Sequence, residues 1–259
     1  MLSLATTVKS CYIGLMRYGI VADIHSNLTA FQAVLADMEN RGGVAELWCL
    51  GDVVGYGPDP RQCIELLRKH NHVAVAGNHD WAAIGKMDTS LFNPDAATAA
   101  HWTTRQLTTE DKQYLESLPL TAQREDFTLV HGSPRDPIFE YLLSNFEGKQ
   151  NFAYFETRFC LVGHSHTPAV FERDKEGNCS LTEFPAETPI VLAKNRLIIN
   201  PGGVGQPRNS DPLASYAIYD SEARTVTRHC VAYDISATQS RMVAQRLPRR
   251  LIMRLSYGI

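Results

Sequence analysis

At 259 residues, the chain can bury a sizeable core, either as one large α/β domain or as two small ones. A formal charge of −3 excludes the basic footprint of a protein that binds long nucleic acid, but not a small phosphate ligand at a local positive centre. Six cysteines without C-x-x-C spacing argue against a disulfide framework and for a reducing, cytoplasmic setting, and no apolar run is long enough to cross a membrane.

Residues 1–16 hold one Lys, no acid and no uninterrupted apolar run, so they are expected to form a disordered N-terminal extension, with Met16 as an alternative start. The first apolar strand begins at Arg17 and ends in Asp23 and His25. Asn27 caps a helix whose Leu28, Phe31, Val34, Leu35 and Met38 recur at helical spacing. A second strand from Glu46 ends in Asp52, inside the glycine-rich loop 51–58 that carries Tyr56. A helix bearing Cys63, Ile64, Leu66 and Leu67 follows. The third apolar run, Val73 to Ala76, breaks at Gly77 and delivers Asn78, His79 and Asp80 in succession. This β-α-β-α-β opening predicts a parallel sheet with helical crossovers.

Residues 81–120 read as a helical insert, with starts at Asn93-Pro94-Asp95 and Thr109 and an end before Pro119. The next strand, from Phe127, ends in His131, and Arg135 follows closely. A mixed insert at 134–158 leads to a strand from Phe159 that ends in His164 and His166. Beyond 167, short strands without intervening helices predict an antiparallel region forming most of a second sheet packed on the first. One or two helices between Ile235 and Leu255 close the chain. Without a repeat or low-complexity linker, residues 17–259 are expected to form a single domain.

Five strands thus each place a metal-compatible side chain just past the carboxyl end, the edge at which open α/β sheets bind ligands. Asp23, His25, Asp52, Asn78, His131, His164 and His166 are more N and O donors than one four-coordinate ion needs, and they suit two ions sharing a carboxylate. Mixed imidazole and carboxylate donors favour Mn, Fe, Zn, Ni or Co over Ca or Mg. Two such ions about 3.5–4 Å apart can hold a hydroxide and clamp an in-line displacement at phosphorus. A single histidine would more readily be a satisfied core or surface residue. Five strand-end placements together are not read that way.

The series Asp23-x-His25, Gly51-Asp52, Gly77-Asn78-His79-Asp80, His131-Gly132 and Gly163-His164-Ser-His166 resembles, in order, the motif set of the calcineurin-like metallophosphoesterases. The likeness is nearest to the compact bacterial branch of small phosphodiesterases and diadenosine-tetraphosphate hydrolases. The resemblance implies a four-layer α-β-β-α sandwich of two mixed sheets. It also implies two divalent metal ions, one held by Asp23, His25, Asp52 and His166, the other by Asp52, Asn78, His131 and His164. His79 would face the leaving-group oxygen, with Asp80 orienting its ring. The loop Asn200 to Arg208 also resembles that branch, except that Gly203 stands where Ser is usual.

The implied function is a dinuclear metal-dependent phosphohydrolase, foremost a phosphodiesterase acting on a small phosphate ester or nucleotide through a metal-bridging hydroxide. A phosphomonoesterase, including a serine/threonine protein phosphatase, is the first alternative, and a catalytically silent scaffold the second. Asn27, Tyr56 and Arg135 are candidate substrate contacts, each balanced by a structural role; Trp81, Phe92 and Tyr141 could stack on a nucleobase but read rather as insert core. The acid-free stretch carrying Arg241, Arg246, Arg249, Arg250 and Arg254 reads as a helix packed on its own domain. Its basic face leaves an acidic partner, a membrane surface or a homo-oligomer open.

Overall fold

A computed structural model describes residues 16–259; the expectations for an N-terminal extension lie outside the described residues, except at Met16. The Met16 carbonyl accepts bonds from the Ser221 amide and hydroxyl. Among the described residues, twelve strands form two mixed six-stranded sheets flanked by eight α-helices.

The first sheet starts with β1 (Arg17–Val21), β2 (Glu46–Cys49) and β3 (His72–Ala74), parallel and joined by α1 (Leu28–Asn40) and α2 (Pro60–Arg68). The Asn27 side chain caps α1 by accepting from the Ala30 amide, and Pro60 opens α2, where no amide donor is needed. Helix begins earlier than expected after β3: α3 (Asn78–Ala83) starts immediately at the Asn-His-Asp run. The insert continues with α4 (Pro94–Gln106) and α5 (Thr109–Ser117). The second sheet is ordered β4 (Thr121–Arg124), β5 (Phe127–Val130), β6 (Phe159–Leu161), β10 (Arg196–Asn200), β7 (Ala169–Arg173) and β8 (Cys179–Glu183). Helix α6 (Asn145–Asn151) lies between β5 and β6 in sequence.

The late strands divide differently from the expectation. Strands β9 (Pro189–Val191), β11 (Ala214–Asp220) and β12 (Thr225–Val231) complete the first sheet, and β10 runs parallel to β6. The reason is burial on two faces. Six of the seven residues of β11 are buried, so it needs a neighbour on each side and sits between β1 and β12.

The sheets meet through Ile20, Trp48, Phe127, Leu129, Phe159 and Leu161, with Trp48 stacked 4.5 Å from Tyr18. On the far side of the first sheet, Phe31, Val34, Ile64 and Leu67 cover Val21 and Cys49. On the far side of the second, Phe152 and Phe155 pack with Cys160 and Phe171. Two closing helices, α7 (Ile235–Ala244) and α8 (Arg249–Arg254), lay Met242, Leu251 and Leu255 against Ala96, Ala99 and Trp102 of α4. Their apolar side is therefore spent within the domain, beside the loop that holds Tyr56.

Candidate metal centre

The carboxyl ends of β1, β2, β3, β5 and β6 converge, and each donates to the same buried cluster. Asp23, His25, Asp52, Asn78, His131, His164 and His166 are all buried. The loops that carry them are cross-bonded at the backbone: the Asp23 amide donates to Gly51 O (3.1 Å), His25 to Asp52 O (2.9 Å) and Gly163 to His131 O (2.8 Å). Asp23, His25, Asp52, His164 and His166 all have φ between 47° and 65°, a region few non-glycine residues enter. Such conformations cost about 1–3 kcal/mol each and persist where the surroundings over-determine them. Five in one cluster mark where the fold is bent to aim side chains.

The donors fall into two groups. Asp23, His25 and His166 form one triad and Asp52, His131 and His164 the other, each with its candidate ligand atoms within 4.8 Å of one another. Asp52 Oδ2 stands between them, 3.6 Å from His25 Nε2 and 3.4 Å from His131 Nε2. Asn78 Oδ1 lies 2.9 Å from His131 Nε2. All seven sequence-derived candidates are thus brought together in one buried cluster.

Ring tautomers follow from the partners, since a carbonyl can only accept. His25 Nδ1 faces Val54 O (3.1 Å), His166 Nδ1 faces Gln206 O (2.6 Å), and His131 Nδ1 faces Leu50 O (2.8 Å). Each ring therefore carries its proton on Nδ1 and turns a bare Nε2 inward. His25 Nε2 and His166 Nε2 then oppose lone pairs at 3.1 Å, as do His131 Nε2 and His164 Nδ1 at 3.1 Å unless a proton intervenes. Asp23 Oδ2 and Asp52 Oδ2 are buried without any hydrogen-bond partner. Two donors about 2.1 Å from a shared ion lie roughly 3.0–3.4 Å apart in octahedral or tetrahedral geometry. The cluster therefore fits divalent cations, which would satisfy both the opposed lone pairs and the orphaned oxygens.

The electrostatics agree. Burial raises Asp23 to about 7, and Asp52 adds to the rise while His131 opposes it. Burial opposes ionisation of Asp52 too, but His131 and His79 hold it well below the usual carboxylate range. His131 is raised to about 9 because Asp52 and Asp23 outweigh its burial. Burial drives His25 and His166 far down. Without a metal, His131 is thus the group on which the two carboxylates concentrate a proton, and a cation would take that proton's place.

Asp80 departs from its expected role. Its carboxylate accepts from the amides of Asp52 (2.9 Å), Val54 (3.1 Å) and Gly77 (3.0 Å), not from the His79 ring. Asp80 fastens the β2 loop to the start of α3, because three backbone donors converge on it and the ring does not. Gly77 allows this closeness: a Cβ there would overlap the Asp52 amide and Oδ1. The His79 amide in turn donates to Asp52 Oδ1 (2.8 Å). His79 Nδ1 packs against Gly55 without a bond, leaving Nε2 as the nitrogen available to the cavity. Burial lowers this ring to about 4, with Arg208 and His131 adding to the effect and Asp52 opposing it.

Of the three candidate substrate contacts, the structure leaves one at the cavity. Tyr56 stands 4.3 Å from His79 and 4.5 Å from His25, ring to ring, and lines the open space. Asn27 is consumed structurally: Oδ1 accepts from the Ala30 amide and the Thr238 hydroxyl, and Nδ2 donates to Gly205 O. Arg135 pairs with Glu140 and Gln150 in the 134–158 insert, because Glu140 is also the hub for Ser133 and Asn151. Its guanidinium makes no bond to the cluster.

Phe92 and Tyr141, weighed in the sequence as base-stacking residues but read as insert core, line the cavity, and Arg208, not singled out there, lies near it. Tyr141 stacks on His164 at 3.8 Å and Phe92 lies 4.6 Å from His79, so neither is simply insert core. Arg208 sits at the end of the 200–208 loop, and its charge lowers both His25 and His79. The likeness of that loop was legible, but nothing in its pattern picks out the arginine. At Gly203, a Cβ would come within 3.2 Å of His166 Nδ1, so this chain leaves that ring uncrowded where a serine is usual.

These features agree with comparisons to known proteins. A profile described as the calcineurin-like phosphoesterase superfamily domain matches residues 16–224. The crystal structure of a metallophosphoesterase from Sphaerobacter thermophilus is 46% identical, covers 95% of this chain and 100% of its own, and superposes with a TM-score of 0.86. An uncharacterized protein of Methanocaldococcus jannaschii is 40% identical over 245 residues, 92% of this chain and 97% of its own. A symmetrical bis(5'-nucleosyl)-tetraphosphatase of Haemophilus ducreyi is 27% identical over 128 residues, 43% of each chain. No described helix is long and apolar enough to cross a membrane.

Proposed function

The chain belongs to the calcineurin-like phosphoesterase superfamily, and from that membership we propose that it is a dinuclear metal-dependent phosphodiesterase acting on a small phosphate ester or nucleotide. The observation that carries this reading is Asp52 Oδ2, buried, unbonded and placed between two triads of metal-compatible donors. Asp23, His25, Asp52 and His166 would hold one divalent ion, and Asp52, Asn78, His131 and His164 the other. Ions of the Mn, Fe, Zn, Ni or Co type would supply Lewis acidity for the phosphoryl oxygens and a nucleophile from water at neutral pH.

The chain's own residues do the rest. Asp80 holds the β2 loop and α3 in register, so that Asp52 and His79 keep a fixed relation. His79, walled by Tyr56 and Phe92, offers Nε2 to the leaving-group oxygen and steadies the charge that develops there. Arg208 adds a fixed positive charge at the same edge. Beside His79, Asn78 and His164 lies a cavity of about 310 Å³, edged by Phe92 and Tyr141 and open enough to take an ester substituent. That room beside the centre favours a diester over a monoester.

The test is a paired assay of metal-loaded protein on matched aryl phosphate mono- and diesters. The proposal predicts faster diester cleavage. Preference for the monoester would transfer the assignment to a phosphatase, and silence on both with metal bound would support the scaffold alternative.

A further inference from the structure

We propose that the cavity beside His79 receives an apolar leaving group, so that the ester cleaved is that of an aryl or alkyl alcohol and not of a nucleoside. This narrowing of the substrate class rests on the phosphohydrolase reading.

The cavity, about 310 Å³, is at the small end of the roughly 300–1,000 Å³ usual for small-molecule sites. It has two unlike walls. Asn78, His79 and His164 form the wall on the metal cluster. Met87, Leu91, Phe92, Ala96 and Phe139 form the other, none of them with a side-chain N or O. His79 Nε2 is the ring nitrogen available to this space. The group that departs with the oxygen His79 serves therefore comes to rest against the apolar wall.

Two inserts assemble that wall. Leu91 ends the short 3₁₀ turn Thr89–Leu91 between α3 and α4, and Phe139 comes from the 134–158 insert, beside the Glu140 hub. Met87, Phe92 and Ala96 are fixed by packing within the helical insert. Leu91 and Phe139, by contrast, are 70% and 42% exposed, and Tyr141 beside them 44%. Large apolar side chains left in solvent singly need no explanation, but three that border one cavity next to a reactive centre offer surface for a ligand to cover.

The polar groups at the cavity decide between an apolar group and a nucleobase. Asn78 and His164 are donors of the metal cluster, and Asn93 Oδ1 accepts from the Ala96 amide (3.0 Å) as the cap of α4. Tyr56, Asn93 and Tyr141 are also the residues that the cavity shares with the neighbouring groove of Arg208, so what polarity they have left lies at that border. A base edge pressed on the apolar wall would go unpaired, at on the order of tenfold in affinity for each group. A hydrocarbon in the same place gains about fourfold for each methylene buried.

The test uses metal-loaded protein and the methyl phosphodiesters of phenol, 4-ethylphenol and 4-butylphenol, leaving groups nearly equal in acidity and unequal in apolar area. In wild type, kcat/KM should rise about fourfold per buried methylene. Combining Leu91→Ser with Phe139→Ser, both at exposed positions, should cut the rise to below about twofold. Phe146→Ser, exposed on the same insert as Phe139 but outside the cavity, should keep it. Calorimetry with 4-butylbenzylphosphonate, methylphosphonate and adenosine 5'-monophosphate needs no turnover. The butylbenzyl compound should bind most tightly, with the most negative heat-capacity change, and lose that advantage in the double variant. A flat series in wild type, an unchanged slope in the double variant, or tighter binding of the nucleotide would overturn the apolar assignment. If wild type cleaved none of the esters, the phosphohydrolase reading would fail, and the calorimetry would still decide whether the cavity takes an apolar group.

Discussion

At the scale of single residues, the proposed function predicts that Asp52 and His79 separate metal binding from catalysis. Asp52 Oδ2 is positioned between both triads, so Asp52→Asn should release metal and lose turnover together. His79 adjoins the cluster without being one of its seven donors, so His79→Ala should keep both ions. It should lose about 10²–10⁴-fold in kcat on an ester with a poor leaving group. Metal analysis of each purified variant beside its kinetics checks both; near wild-type turnover in His79→Ala would remove it from the mechanism. Asp80 is distinguished by stability. Asp80→Ala would strand three buried amides, at about 1–3 kcal/mol for each that finds no new partner, and chemical denaturation should register a loss of at least about 3 kcal/mol.

At the scale of elements, the two sheets are joined by aromatic packing around Trp48, which is fully buried between Tyr18, Phe127 and Tyr219. Trp48→Ala should cost about 3–5 kcal/mol in denaturant unfolding while leaving the site ligands in place, because Trp48 faces the other sheet and not the cluster. The parallel half of the first sheet was legible in the sequence because each strand there is a short apolar run ending in a polar signal. The late strands were not, because alternation reveals which face is buried but not which neighbour pairs. Hence β11 enters beside β1 although the whole second sheet lies between them in sequence. The same limit applies to side-chain partners. The seven donors could be found from strand ends, but Asp80 bonds back to two loop amides 26 and 28 residues earlier. Arg135 is taken by Glu140, and Arg208 becomes a site residue only when its loop folds over His166.

At the scale of the whole molecule, a centre built from opposed imidazole nitrogens and unbonded carboxylate oxygens is under electrostatic tension when empty of cations. Ions that bind the folded state alone add about 4 kcal/mol at a thousandfold excess over Kd. Exhaustive chelation should therefore lower Tm clearly, and readdition of Mn or Zn should restore it; an unchanged Tm would mean that the cluster does not bind metal in the folded protein. The closing helices matter at this scale too. Packed through α4, they set Leu251 and Leu255 against Ala96, Ala99 and Trp102, as the reading of a helix packed on its own domain expected, and leave Arg250 and Arg254 on the groove beside Tyr56.

The measurement that bears most directly on the dinuclear assignment is a titration of metal-free protein with Mn or Zn, following bound ion and aryl diester turnover in the same samples. The account predicts saturation near two ions per chain, with turnover rising as the second equivalent binds. Full turnover at one equivalent, or saturation at one ion, would contradict it.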